Sequence, residues 1–187
     1  MSSLVPMPVS PAAAAEAWPA LPPRALHPST GPLDVALLLQ VARRLGRVVQ
    51  SWARRADEHL LDRQFETLLA TEAFEAWVID WPPGTVLDLH DHGRSAAAFF
   101  VVAGALDEVS VTAGVAVERR LRRGAGATVV PGQVHAVGNR SRGAATSVHV
   151  YSPRLTVMTY YELGDSGRLT VTRDDRLPSV ERSVAAP

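Results

Sequence analysis

Between Leu33 and Ala56 apolar residues return every three or four positions. Val35, Leu38, Leu39, Ala42, Leu45 and Val49 fall on one side of a helical projection, and Arg43, Arg44 and Arg47 on the other. This spacing predicts an amphipathic helix, with Gly46 as the place where it would break. Leu60, Leu61, Phe65, Leu68 and Leu69 keep a helical spacing and predict a second, shorter helix over Glu58–Leu69. From Phe74 the pattern changes to short runs punctuated by Gly, Pro and Asp, as in an all-β sandwich or barrel. Strands are predicted at Phe74–Trp81, Val86–His92, Ala97–Val102, Ala105–Thr112, Val115–Leu121, Ala127–Val130, Val134–Gly138, Ala145–Tyr151 and Val157–Leu163, with room for an edge strand at Arg168–Arg173. Nine short strands suit a closed barrel. The expected organisation is a disordered proline-rich leader over 1–32, a helical cap over 33–70, a barrel over 71–175 and a frayed tail over 176–187.

Length and charge narrow this picture. A chain of 187 residues that is 47% hydrophobic buries one ordinary core, and a second full domain would leave too little sequence for each. Nineteen basic and nineteen acidic residues cancel, so no general field attracts nucleic acid or an anionic membrane, and a small substrate recognised locally fits best. The longest apolar stretch, near Val35–Leu39, is far short of the roughly 20 residues of a membrane span. Residues 1–32 hold eight prolines, and no basic segment followed by an apolar run stands there. The expectation is a soluble, cytoplasmic protein, a monomer or small homo-oligomer. The chain has no cysteine, which excludes disulfides, thiolate metal sites and a cysteine nucleophile. Any metal ligand must be His, Asp or Glu.

Four of the six histidines lie in the β region. His90 and His92 are two apart on a predicted strand, so the period of two puts both imidazoles on one face and Asp91 on the other. His135 follows the turn Pro131-Gly132-Gln133-Val134, and His149 lies within the strand around Ser147. Gly84 stands six positions before His90, Gly104 twelve after His92, and Asn139 four after His135. This constellation resembles the two motifs of the cupin superfamily, and implies an all-β jelly-roll barrel with a short N-terminal helical cap and a metal held by His90, His92 and His135. Most cupins place a glutamate a few residues after the second histidine. Here that stretch reads Arg94-Ser95-Ala96-Ala97-Ala98 and offers no carboxylate. Three neutral imidazoles leave the charge of a divalent ion unneutralised and about three octahedral positions open for substrate and dioxygen.

Ser147-Val148-His149-Val150-Tyr151 alternates a hydroxyl, an imidazole and a phenol on one face with two valines on the other. A polar row inside a barrel is costly unless its members bond one another or a ligand. Together with His90-Asp91-His92-Gly93 and Tyr151-Ser152-Pro153-Arg154-Leu155, from about Trp77 to Tyr161, the row resembles the cysteine dioxygenase family, the thiol dioxygenases among the cupins. The resemblance implies an iron(II) cofactor on the three histidines. It implies also a hydrogen-bonded relay of Ser147, His149 and Tyr151 with the phenol facing the site, a small thiol and O2 as substrates, and a sulfinate product. The position of the cysteine that some members link to the tyrosine is Ala97, so that cross-link is absent.

The family's carboxylate-binding arginine falls in the segment Arg63-Gln64-Phe65-Glu66-Thr67-Leu68-Leu69, where its aligned position reads as Glu66 or Thr67. Arg63 or Arg94 would then have to supply the charge, or Gln64 a neutral bond. Two other readings stand beside the thiol dioxygenase: a metal cupin with another oxygenase activity or another metal, and a non-catalytic sensory or binding cupin. Core packing accounts for Trp77, Trp81, Phe99 and Phe100, with one of the two adjacent phenylalanines facing in and the other out.

Overall fold

In a computed structural model, residues 31–51 and 62–177 are described, together with Leu21 and Ala25. One helix, α1 (Val35–Ser51), precedes eleven strands: β1 (Gln64–Ala70), β2 (Glu75–Trp81), β3 (Val86–Asp91), β4 (Ala96–Ala103), β5 (Ala105–Thr112), β6 (Val115–Arg122), β7 (Gly126–Val129), β8 (Val134–Gly138), β9 (Ala145–Ser152), β10 (Val157–Leu163) and β11 (Leu169–Arg176). They form a five-stranded sheet in the order β1-β2-β9-β4-β7 and a six-stranded sheet in the order β11-β10-β3-β8-β5-β6. The paired strands are antiparallel throughout. This is the jelly-roll of a cupin, with one helix laid against it, and all nine strands expected from the sequence are present.

The helix begins where its chemistry dictates. Asp34 Oδ1 accepts from the Leu37 amide at 2.8 Å, satisfying one of the unpaired N–H groups of the first turn. Leu38, Val41, Ala42, Leu45 and Val49 are buried, and Arg43, Arg44 and Arg47 are exposed. The apolar stripe lies on the outer face of the five-stranded sheet, against β4, β7 and β9. That contact explains why this sheet is buried on both sides, with every residue of β2 and of β9 out of solvent. Its strands therefore divide their residues between two cores. Ala76, Val78, Ala98, Phe100, Val148 and Val150 join the helix, whereas Trp77, Ile79, Trp81, Ala97, Phe99 and Tyr151 face the opposite sheet. Phe99 and Phe100 part as strand periodicity requires.

Three expectations are corrected. Most of β1 lies in the stretch expected to form a second helix, Glu58–Leu69, whose residues 58–61 lie outside the described segments. The register between β1 and β2 shifts between Thr67 and Leu69, and such a bulge breaks the period of two. Phe65 consequently faces the inner core, while both Leu68 and Leu69 reach the outer one. A three-then-four apolar spacing is thus produced by a bulged strand. The leader reading does not hold at Leu21 and Ala25, which are buried in the cluster around the helix; most of 1–30 lies outside the described residues. The tail begins later than expected, because β11 runs to Arg176 and Leu177 packs against the inner core. Residues 178–187 are outside the described set.

Gly46 does not interrupt α1. It is there because a Cβ at that position would run into the Phe100 ring, so the glycine lets helix and sheet approach. Gly104, at φ +70°, has the Ala144 carbonyl 2.6 Å from where its Cβ would be; a side chain there meets both a left-handed backbone and a neighbouring chain. Asn139, fully buried, donates through Nδ2 to the Trp81 carbonyl at 2.9 Å and the Gly143 carbonyl at 2.8 Å, tying β2 to the turn after β8. Replacing Gly46 by Ala tests the close approach. Helix propensity favours Ala by about 1 kcal/mol, but overpacking costs about 1–3 kcal/mol. Denaturant unfolding is expected to show a net loss of stability, and a gain would show that the Phe100 ring yields freely.

Candidate metal centre

The six-stranded sheet brings three histidines together. His90 on β3 and His135 on β8 are direct partners in the antiparallel register, and the register shifts between Leu87 and His90. His92 follows β3 by one residue. The imidazole centroids lie 4.6 Å apart for His90 and His135, 5.0 Å for His90 and His92, and 5.1 Å for His92 and His135. One ligand atom from each lies within 4.8 Å of the others, and all three residues are buried. Asp91 faces away as expected. Its Oδ1 accepts from the Gly93 amide at 2.8 Å, and its Oδ2 accepts from the Tyr161 hydroxyl at 2.7 Å, which holds the turn after His92.

Hydrogen bonding orients two of the rings. His90 Nδ1 lies 2.7 Å from the Asp88 carbonyl. A carbonyl only accepts, so Nδ1 carries the hydrogen and Nε2 keeps its lone pair. His135 Nδ1 lies 3.0 Å from Glu108 Oε1, and by the same logic Nδ1 carries hydrogen and donates to the carboxylate. Burial, followed by the charges of the neighbouring imidazoles, holds His90 and His92 well below the ordinary histidine range, so both are neutral at pH 7. His135 Nε2 and His92 Nδ1 are buried with no hydrogen-bond partner, a cost of about 1–3 kcal/mol each unless something accepts their electrons or hydrogen. A divalent metal fits this set: neutral, unpartnered imidazole nitrogens converging on one point are what iron, zinc, copper or nickel require. Among the described residues no carboxylate joins the group.

The second constellation comes from the five-stranded sheet and faces the first. Trp81 Nε1 donates to Ser147 Oγ at 2.8 Å, Ser147 Oγ lies 2.9 Å from His149 Nε2, and His149 Nδ1 lies 3.5 Å from the Tyr151 hydroxyl. An indole can only donate, so Ser147 accepts from Trp81 and passes its own hydrogen to His149 Nε2. The reverse polarity would strand the hydrogen of a fully buried hydroxyl. Burial and then the Arg63 charge lower the His149 pKa well below the usual range. The ring is therefore neutral, with its hydrogen on Nδ1 toward the Tyr151 oxygen. Tyr151 is left with its own hydrogen free to point into the cavity, and burial foremost raises its pKa. Phe99 stacks on His149 at 5.0 Å, and the Tyr151 ring meets His92 at 5.1 Å. Ala97 is the cross-strand partner of Tyr151.

The arginine expectation changes. Glu66 pairs with Val78 of the outer core, on the face away from the histidines, and Gln64 and Arg94 are exposed. Arg63, just before β1, is instead turned inward. Its guanidinium lies 5.3 Å from the Trp81 ring centroid, and its charge is felt at Tyr151, Tyr160, His90 and His149. Burial lowers the Arg63 pKa below its ordinary value. Tyr160, opposite His90 in the β10–β3 register, adds a phenol to the same wall, with its ring 5.9 Å from that of His90. Three participants escaped the sequence reading: Trp81 as a donor, Tyr160 on the cavity wall, and Glu108 behind His135. Trp81 and Tyr160 read as ordinary core residues. Glu108 carried a usable signal, an acidic residue at an inward position of a predicted strand.

His92→Ala removes one of three ligands and is expected to abolish stoichiometric metal uptake, measured by elemental analysis after reconstitution. The metal-free variant should remain folded by circular dichroism, since the change removes a buried, unpartnered nitrogen. Full uptake by the variant would refute the ligand assignment.

Among solved structures, the chain is similar to a protein from Thermus thermophilus at 21% identity, covering 55% of this chain and 94% of that one with a TM-score of 0.49. KdgF from a Halomonas species matches at 21% identity, covering 51% of this chain and 84% of that one with a TM-score of 0.46. A conserved protein with a double-stranded β-helix domain from Klebsiella pneumoniae matches at 19% identity, covering 67% of this chain and 94% of that one with a TM-score of 0.47. Residues 49–163, more than half of the chain, match the family described as cysteine dioxygenase type I, a span that holds all three clustered histidines and the whole of the Ser147–Tyr151 row. The chain belongs to the cysteine dioxygenase type I family.

Proposed function

We propose that the protein is an iron(II)-dependent thiol dioxygenase that converts a small carboxylate-bearing thiol and O2 into the corresponding sulfinate. The overall change is RSH + O2 → RSO2H, with both oxygen atoms placed on sulfur. The observation that carries this reading is the hydrogen-bonded row from Trp81 through Ser147 and His149 to Tyr151, whose ring meets that of His92. A metal-only binding site has no use for such a row. Iron(II), when bound, would supply the redox chemistry that joins dioxygen to a thiolate, which no side chain in the cavity does alone.

The chain's own residues would do the rest. His90, His92 and His135 would hold the ion and leave positions open to substrate. Arg63 would hold the substrate carboxylate: it is a largely buried cation beside the site, and a guanidinium is matched in shape and charge to a carboxylate. Tyr151 would donate its hydroxyl hydrogen to an anionic oxygen of substrate or dioxygen, with His149 behind it keeping the phenol oxygen as acceptor. Phe65, Trp77, Leu155 and Met158 line the inner core and would keep bulk water away from the reacting sulfur. The binding-only alternative drew its support from a missing cation, and the inward Arg63 weakens it.

The test is oxygen uptake by iron(II)-loaded protein offered cysteine, 3-mercaptopropionate and cysteamine in parallel, with sulfinate identified by mass. Uptake is expected with the two carboxylate-bearing thiols. Silence with every thiol, despite bound iron, would refute thiol dioxygenation. Arg63→Gln should raise KM for the carboxylate-bearing thiols by about ten- to a hundredfold, the loss of a charged hydrogen bond of about 1.5–3 kcal/mol. It should leave cysteamine kinetics unchanged. Equal effects on all three thiols would show that Arg63 does not read the carboxylate.

A further inference from the structure

Glu108 is fully buried on β5, an expensive place for a carboxylate. Its Oε1 accepts from His135 Nδ1 at 3.0 Å and its Oε2 from Arg119 Nε at 2.6 Å. Arg119 is its direct partner in the β5–β6 register, and the arginine side chain remains 48% exposed. The arrangement is a line running from solvent inward: guanidinium, carboxylate, imidazole, and then the unpartnered Nε2 of His135. Fold stability does not call for such a line, because an apolar residue of similar volume at a site like this is often neutral or better. What the carboxylate does contact is a nitrogen base with one face committed to the histidine cluster. Without an acceptor at Nδ1, the imidazole could place its hydrogen on Nε2 and lose the lone pair that faces His90 and His92.

We propose that Glu108, held by Arg119, is a positioning residue for the metal centre: it keeps the His135 hydrogen on Nδ1, makes Nε2 a stronger donor, and supplies from behind the ligand the negative charge that three imidazoles lack. The cluster holds no carboxylate of its own among the described residues, and Glu108 is the carboxylate hydrogen-bonded to one of its members. This deepens the metal-centre reading above and rests on it. The ion would meet a donor set whose formal charge is zero at the ligating atoms and whose anion sits one hydrogen bond away. Ligand charge is thereby increased without spending a coordination position, so the open positions remain for substrate and dioxygen.

Two measurements on the full chain test this. The first is the dissociation constant for cobalt(II), obtained by competition with a chelator, for wild type, Glu108→Gln and Glu108→Ala. The second is the ¹⁵N spectrum of histidine-labelled, metal-free protein, which reports where each ring carries its hydrogen. E108A is expected to bind cobalt about ten- to a hundredfold more weakly and to show His135 in mixed tautomers. E108Q keeps an acceptor but not the charge, so it should retain the Nδ1–H tautomer and fall between the other two in affinity. Wild-type affinity in both variants, or a wild-type His135 with its hydrogen on Nε2, would overturn the proposal. If E108A does not fold, E108Q and the wild-type spectrum decide, and E108Q binding as tightly as wild type would overturn it. A wild type that takes up no cobalt would refute the metal centre itself, an outcome separate from metal binding that is indifferent to residue 108.

Discussion

Three imidazoles taken out of water and gathered around one point are the constraint around which this molecule is organised. A neutral, unpartnered nitrogen inside a protein is unstable in its orientation, because the ring gains by turning to any available acceptor or donor. The fold answers by occupying Nδ1 of two rings: a backbone carbonyl beside His90 and a carboxylate behind His135. The register irregularity just before His90 is part of that answer, because it lies beside the Asp88 carbonyl to which the ring donates. Burial then lowers the basicity of His90 and His92, so these two rings stay uncharged and keep a lone pair available.

The wall facing the histidines depends on the helix. A sheet with one face in water has only one face to bury. With α1 covering the outer surface of β4, β7 and β9, that sheet buries both, and the valines of β9 can pack outward while Ser147, His149 and Tyr151 turn inward. An inward polar row is tolerable because each member is satisfied in sequence, starting from a donor-only indole. That start sets the polarity of the whole row and leaves the Tyr151 hydrogen for the cavity.

Charges of both signs are buried near the histidine cluster. Arg63 lies on the side of the five-stranded sheet, beside Trp81; Glu108 stands behind His135 on the six-stranded sheet and is itself tied to Arg119. Burial by itself raises the Glu108 pKa, but the bond and charge of His135 and the Arg119 guanidinium outweigh it, so the carboxyl sits below its ordinary range and stays ionised. In a chain whose formal charges sum to zero, this local separation gives the buried histidine cluster a field that the net charge does not reveal.

The sequence by itself determined the fold class, the strand order along the chain, the three clustered histidines and the polar row. Each is written in a short-range code: a period of two, a period near 3.6, a turn residue, or a histidine two positions from another. The sequence misread β1, because the bulge between Thr67 and Leu69 exchanges the faces of neighbouring residues and so imitates helical spacing. The tertiary structure alone decided that Arg63 rather than Glu66 faces the site, that Trp81 feeds the relay and that Glu108 backs His135. Those three depend on which face a bulged strand presents and on side chains 66 and 27 positions apart in the chain, Trp81 with Ser147 and Glu108 with His135, meeting on neighbouring strands of a sheet. Local periodicity says which residues turn inward, and only the pairing of distant strands says what they meet there.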